Sequence, residues 1–207
     1  MRYYEGVVFS EEITSPFFNR KKKGLLMKKQ KNTFNLALAA MFLALAYVMP
    51  FLTGQVPQIG AMLCPMHVPV ILCGYICGAP WGLTVGAIVP LLRSLTLGMP
   101  PLFPKALAMA FELAVYGLMS GVLYRVLPQK KINIYVSLLL SMIAGRLVWG
   151  VVQFFFMGLD STKFGFSAFW AGAVVNALPG IVLQIVIIPI VVMLFEKTKI
   201  INRSIQQ

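Results

Sequence analysis

Four stretches of this 207-residue chain are long and apolar enough to cross a lipid bilayer, and they limit the possible folds more than any other feature. They lie at roughly 34–52, 103–126, 132–157 and 167–195. About 20 apolar residues span the hydrocarbon core as a helix, because a helix satisfies its own backbone hydrogen bonds. Charged residues make up only 12% of the chain, whereas a water-facing surface usually brings the share to about 25%. The sequence therefore predicts an all-α integral membrane protein.

The region 65–98 is a further apolar stretch, and the sequence GAPWG at 78–82 interrupts it with turn residues. It can form one long span or two short ones. Two spans place Arg125, Lys130 and Lys131 on the same side as the basic N-terminal tail, and one span places them opposite it. The positive-inside rule favours two. We therefore predict six transmembrane helices, with the N- and C-termini in the cytoplasm.

Basic residues are concentrated ahead of the first apolar stretch, where eight of the eighteen Lys and Arg lie between Arg2 and Lys31. They lack the interleaved aromatic residues of a nucleic-acid surface, so membrane lipid explains the net charge of +12 better. We predict a poorly ordered, basic cytoplasmic tail over 1–33, a membrane domain over 34–196 and a short basic cytoplasmic tail over 197–207. Translation starting at Met27 is a further hypothesis.

No motif in the chain predicts a metal site, a cofactor or an enzyme. Cys64, Cys73 and Cys77 are odd in number, and His67 is the only histidine, so a zinc site is not expected. The sequence has no HExxH and no phosphate-binding GxxxxGK[ST]. Ser120 lacks a later histidine that could serve as its base. Because the chain cannot hydrolyse ATP by itself, uphill transport would need a partner or an ion gradient.

Polar residues at membrane depth are costly and usually functional. Across six alternating spans, Glu112 and Asn176 lie roughly 14 Å below the outer face, and Arg146 about 9 Å below it. Most of the group falls in the outer half, and Gln184 falls in the inner half. The group consists of His67, Arg93, Glu112, Arg146, Gln153, Asn176 and Gln184.

Arg146, Trp149 and Gln153 share one face of the predicted fifth helix, at spacings of three and seven residues. A cation, a flat ring and an amide pointing one way suit a ligand that is part ring and part polar. An ion pair between Arg146 and Glu112 that locks two helices together is the alternative, and the two interpretations are compatible. Together with Arg93, Arg146 suggests a carboxylate or phosphate on the ligand.

Small residues recur at four-residue spacing, which lets helix backbones approach closely in lipid. Internal packing is the default interpretation of each such set, and docking of another subunit is the alternative. The sets are Ala40 and Ala44, then Gly74, Gly78, Gly82 and Gly86, then Gly117 and Gly121.

Two segments carry a resemblance to a known family. The first helix reads NLALAAMFLALAYVMP, and CPMHVPVILCGYICGAPWGLTVGAIVPLLRSLTLGMPPLFPKALAMAFELAVYGLMSGVLYR follows after a loop. Over roughly residues 33–196 the chain resembles the substrate-binding S components of energy-coupling factor transporters. The resemblance implies a subunit of a bacterial-type plasma membrane that captures a vitamin or related micronutrient from outside. Its partners would be a transmembrane coupling subunit and two cytoplasmic ATPase subunits.

The resemblance also implies that Ala40 and Ala44 meet the coupling subunit, and that the ligand binds near the outer face. Pantothenate, a pyridine vitamin, riboflavin and a cobalamin precursor are all open as ligands. A stand-alone secondary carrier and an intramembrane enzyme using Glu112 are the alternatives. The predicted ligand contacts are His67, Arg93, Glu112, Arg146, Trp149 and Asn176.

Overall fold

The structure is a computed structural model, and it describes residues 16–53, 63–128, 130–157 and 177–197. The described part is helical throughout its ordered elements, as the sequence predicts. A 3-10 turn at Met49–Thr53 follows the first helix, and a π-helical turn at Leu102–Ala106 precedes the fourth. The six α-helices are α1 Pro16–Val48, α2 His67–Cys77, α3 Ala79–Leu97, α4 Leu107–Val126, α5 Lys131–Met157 and α6 Leu178–Lys197.

Five helical segments in the described ranges are long and apolar enough to cross a membrane, and α2 is a shorter apolar helix. The predicted break within 65–98 is confirmed, because α2 ends at Cys77 and α3 begins at Ala79. Gly78 joins them at φ 100°, a conformation that favours glycine, and its N–H bonds to the carbonyl of Gly74. With 11 residues, α2 is about 16 Å long, less than a bilayer core of about 30 Å. The count of six crossings therefore stays a prediction.

The first helix begins much earlier than the sequence analysis predicts. Poor order was expected over 1–33, and this expectation is wrong for 16–33, because α1 starts at Pro16. Proline suits the first position of a helix, and the Lys, Arg, Leu, Met and Gln residues that follow it are good helix formers. Residues 1–15 and 198–207, which belong to the two predicted tails, lie outside the described residues.

Helix α2 forms the centre of the bundle, since all of its residues from His67 to Cys77 are buried. It packs against α1, α3, α4 and α6, while α5 packs mainly against α4. The outward sides of the surrounding helices carry exposed Leu, Ile, Val, Phe and Met side chains. Such surfaces suit lipid, and the arrangement brings His67 at the start of α2 beneath the neighbouring helices.

Glycines let α3 and α4 pack with their backbones in contact. A β-carbon on Gly82 would lie 2.8 Å from the carbonyl carbon of Gly117, and one on Gly117 would meet the backbone of Gly82. Gly86 lies in the same way against Leu113, and Gly121 against Ala79. No side chain fits in these positions, so the predicted role of these glycines in internal packing is confirmed. We call this contact between α3 and α4 the glycine seam.

Candidate ligand site

The carboxylate of Glu112 is the centre of a buried polar group formed by three helices. Its side chain is 2% exposed, and its Oε1 atom lies 3.1 Å from Nη1 of Arg146 on α5. The hydroxyl of Tyr116 donates a hydrogen bond of 3.0 Å to the same oxygen. His67 on α2 places its Nε2 atom 3.6 Å from it. The predicted ion pair between Glu112 and Arg146 is therefore confirmed, and His67 joins it.

Local sequence explains how these side chains meet. Glu112 and Tyr116 are four residues apart on α4, so they lie on one face of the helix. The ring of Tyr116 packs against α5 at Gly145, where a β-carbon would lie 2.5 Å from Cε1 of the ring. On its other side, the ring centroid is 5.3 Å from that of His67. The lack of a side chain at Gly145 thus admits Tyr116 directly beside Arg146.

The segment before α2 contributes Cys64 to the same group. The Nη2 atom of Arg146 lies 3.7 Å from the sulfur of Cys64 and donates a hydrogen bond to it. Cys64 is buried and has φ 46°, which is uncommon for a residue other than glycine. Burial raises the pKa of the Cys64 thiol, so the sulfur is a neutral thiol at physiological pH. We call Cys64, His67, Glu112, Tyr116 and Arg146 the Glu112 cluster.

Arg93, a predicted ligand contact, has its described contacts elsewhere, at the end of α1. Its Nη1 atom donates a hydrogen bond of 2.8 Å to the carbonyl of Tyr47. The guanidinium carbon lies 5.8 Å from the ring centroid of Tyr47 and 5.5 Å from that of Phe51. The residue is 5% exposed. Arg93 therefore holds the C-terminal end of α1 against α3.

Several buried polar atoms have no hydrogen-bond partner in the part of the chain that the structure describes. They are Oδ1 of Asn35, both ring nitrogens of His67, Nε of Arg93, Nε of Arg146, Oε1 of Gln153 and Oε1 of Gln184. Buried polar groups are normally bonded. Every residue in this set except Asn35 is among the polar residues that the sequence analysis singles out. Unmatched atoms of this kind are what a polar ligand would satisfy.

The remaining predicted contacts differ in what is known of them. Trp149 is half-buried and lies one turn after Arg146 on α5. Asn176 lies outside the described residues. Within the described ranges, no group of three or more His, Cys, Asp or Glu residues is arranged to hold a metal ion.

Tyr116 and Cys64 were not predicted as members of the site. The spacing of Tyr116 four residues after Glu112 is a signal that could have identified it. The contact between Cys64 and Arg146 joins residues 82 positions apart, and no local pattern in the sequence indicates it.

A second feature lies on the outward face of α1. Ala40 and Ala44 are both exposed there, whereas Ala39, Phe42 and Ala46 face the core. Their exposed neighbours are Leu36, Met41, Leu45 and Val48. In the described part of the chain, this pair of alanines is therefore not used for internal packing, unlike the glycines of the seam.

A family model described as the ECF transporter substrate-specific component matches residues 34–192. The chain belongs to this family. No curated protein and no solved structure matches the chain.

An ECF substrate-specific component is the substrate-binding subunit of a transporter and not an enzyme. Membership places the protein in the plasma membrane as a multi-pass protein, in agreement with its five membrane-length helices. It also implies a small-molecule ligand and association with the membrane and ATPase components of the transporter. The enzyme alternative based on Glu112 is thereby set aside.

Proposed function

We propose that this ECF substrate-specific component captures a water-soluble vitamin or related micronutrient for ATP-driven import. The ligand binds in the outer half of a six-helix bundle whose termini are cytoplasmic, with the membrane domain over 34–196 and basic tails over 1–33 and 197–207. The observation that carries the proposal is the Glu112 cluster, in which three helices bring charged and polar side chains together. Its unmatched nitrogen atoms on His67 and Arg146 support a role in binding.

Each proposed contact has a distinct part in recognition. Glu112 accepts hydrogen bonds from the ligand, and Arg146 and His67 use the ring and guanidinium nitrogens that have no described partner. Trp149 offers a flat aromatic surface one turn from Arg146. Two further contacts are proposed at the rim, Arg93 from α3 and Asn176 from the segment before α6.

Titration of the detergent-purified protein with pantothenate, pyridoxine, riboflavin and a cobalamin precursor tests the capture function. We expect one of them to bind, and Glu112→Ala to weaken that binding about 30-fold or more, since loss of one partner of a buried charge pair costs about 2–5 kcal/mol. Phe111→Ala is the control, because Phe111 is exposed on the adjacent position of α4. Equal affinity of the Glu112→Ala variant and the wild type would remove Glu112 from the site.

The exposed pair Ala40 and Ala44 supports a second part of the proposal, that α1 docks onto the transmembrane coupling subunit. Small side chains let two helices approach closely in a bilayer, where packing drives association. We expect Ala40→Trp and Ala44→Trp to abolish co-purification with the coupling and ATPase subunits while ligand binding stays nearly unchanged. Val122→Trp, on the exposed side of α4, is the control for a bulky residue facing lipid. A normal yield of complex from both alanine variants would contradict the assignment.

A further inference from the structure

The two arginines that are candidates for recognising a ligand differ in charge balance and in access. Arg146 has a side chain that is 16% exposed, and it is paired with the carboxylate of Glu112 at 3.1 Å. Arg93 is 5% exposed, and none of its contacts within the described residues is to a carboxylate. The more accessible arginine is therefore neutralised, and the one without a carboxylate partner is enclosed.

Arg93 is enclosed by groups that stabilise a cation without a carboxylate. Its guanidinium bonds to a carbonyl in the last turn of α1, where the helix dipole is negative. The rings of Tyr47 and Phe51 lie within about 6 Å of it, a range in which an aromatic face attracts a cation. The one unmatched nitrogen, Nε, is itself buried. A ligand anion would have to displace α1 or its rings to reach this charge.

The charges of the Glu112 cluster sum to zero when His67 is neutral. Arg146 contributes one positive charge and Glu112 one negative charge, while Cys64 and Tyr116 contribute a neutral thiol and a hydroxyl. An anion approaching Arg146 also approaches the carboxylate bound to it, and repulsion between like charges is strong where water is excluded. The guanidinium therefore offers N–H donors to a ligand, but little net attraction for an anion.

From these observations, and resting on the capture function proposed above, we propose that the site selects an uncharged, hydrogen-bonding ligand over one that carries a carboxylate or phosphate. The unmatched atoms of Arg146, His67 and Gln153 include both donors and an acceptor. The rings of His67, Tyr116 and Trp149 suit the flat part of such a ligand. This proposal reverses the interpretation of the two arginines as receptors for an anionic group.

Three pairs of compounds that differ in one charged group test the proposal. They are panthenol and pantothenate, pyridoxine and pyridoxine 5′-phosphate, and riboflavin and flavin mononucleotide. Their affinities for the detergent-purified wild type are measured by equilibrium dialysis at pH 8, where an ordinary imidazole is uncharged. In the pair that binds, we expect the uncharged compound to bind at least about tenfold more tightly. Tighter binding of the charged compound would overturn the proposal.

Two variants test whether Glu112 is the reason for the selectivity. Glu112→Gln keeps the shape of the side chain but leaves the charge of Arg146 unpaired, so we expect the preference to shift toward the charged compound by about tenfold or more. The double variant Glu112→Gln with Arg146→Gln is the matched control, because it removes both charges, and no such shift is expected. A folded Glu112→Gln variant with the wild-type preference would overturn the role of Glu112.

The outcomes also separate this proposal from the capture function. If the wild type binds only the charged compound of a pair, capture stands and the selectivity is wrong. If the folded wild type binds none of the six compounds, the capture function is contradicted and the selectivity falls with it. If Glu112→Gln does not fold, the wild-type preference and the double variant decide, and a double variant that binds the charged compound more tightly than the wild type contradicts the proposal.

Discussion

Helices α2 and α4 carry two buried polar clusters, and the clusters differ in how completely their atoms are bonded. The first is the Glu112 cluster. The second lies further along both helices and consists of Tyr75, Tyr124, Ser137 and Glu196, and we call it the Tyr75 cluster. The hydroxyl of Tyr75 lies 2.7 Å from Oγ of Ser137 and donates to the carbonyl of Ile134 at 3.2 Å. Tyr124 donates to Glu196, and its ring packs edge-on against Tyr75 at 5.2 Å.

The comparison separates a structural role from a binding role. In the Tyr75 cluster each tyrosine hydroxyl has a partner, and the cluster ties α2, α4, α5 and α6 together. In the Glu112 cluster, His67 and Arg146 keep buried nitrogens with no described partner. A protein that needed only stability would gain by bonding these atoms or replacing them with apolar groups. Incomplete bonding at equal burial therefore points to a ligand.

The largest effect is expected at the glycine seam, on which both clusters depend. In Gly117→Val the new side chain has no space, because even a β-carbon at this position meets the backbone of Gly82. We expect loss of folded protein in size-exclusion chromatography, and loss of binding with it. Val122→Phe adds volume to the exposed side of the same helix and is expected to fold normally. A folded, ligand-binding Gly117→Val variant would show that the seam does not set the helix spacing.

Replacement of His67 by phenylalanine should separate binding from stability. The change keeps a buried ring beside Tyr116 and removes two nitrogens that lack a described hydrogen-bond partner. We expect the affinity to fall about 10- to 100-fold, because one or two hydrogen bonds to the ligand are lost at about 1–3 kcal/mol. The melting temperature should stay the same or rise. A lower melting temperature with unchanged affinity would make His67 a structural residue.

The corresponding change in the Tyr75 cluster should give the opposite result. Tyr75→Phe removes a hydroxyl bonded to Ser137 and Ile134, and it leaves their polar atoms with one partner fewer. We expect the free energy of unfolding to fall by about 1–2 kcal/mol, measured as a lower melting temperature in detergent. The affinity should stay within about twofold of the wild type, since a hydrogen bond lost outside the site costs stability alone. A drop in affinity similar to that of His67→Phe would erase the distinction between the clusters.

The smallest effect is expected at Gln184 on α6. Its Oε1 atom is buried without a described partner, but none of its described contacts is to either cluster. Gln184→Met conserves the volume and removes the unmatched oxygen, so we expect a small rise in melting temperature and no change in affinity. If affinity fell, the site would extend to α6 at this depth.

Much of this architecture follows from the sequence by physical argument. Charge placement and the turn residues at 78–82 separated α2 from α3 correctly, because both signals are local. The pairing of Glu112 with Arg146 followed from the cost of isolated charges in a membrane. The early start of α1 at Pro16 was missed, because basic composition was taken to indicate disorder although these residues favour helix.

Other parts of the site depend on packing that a sequence does not display. Arg93 was grouped with Arg146 on the basis of depth alone, whereas its rotamer and the ring positions of Tyr47 and Phe51 direct it to the end of α1. The approach of Tyr116 to α5 depends on Gly145, which has no partner in a small-residue pattern. Depth along a helix can thus be read from residue number, but the direction of a long side chain cannot.

Ligand capture by the folded protein is tested most directly by mass spectrometry of the small molecules that it releases. The protein is expressed in cells fed a mixture of water-soluble vitamins, purified in detergent and denatured. Capture predicts one compound recovered at close to one molecule per chain, and the same compound in much lower amount from His67→Phe. A folded protein that releases no such compound, and stays empty after titration with the same mixture, would contradict the assignment of the Glu112 cluster as a ligand site.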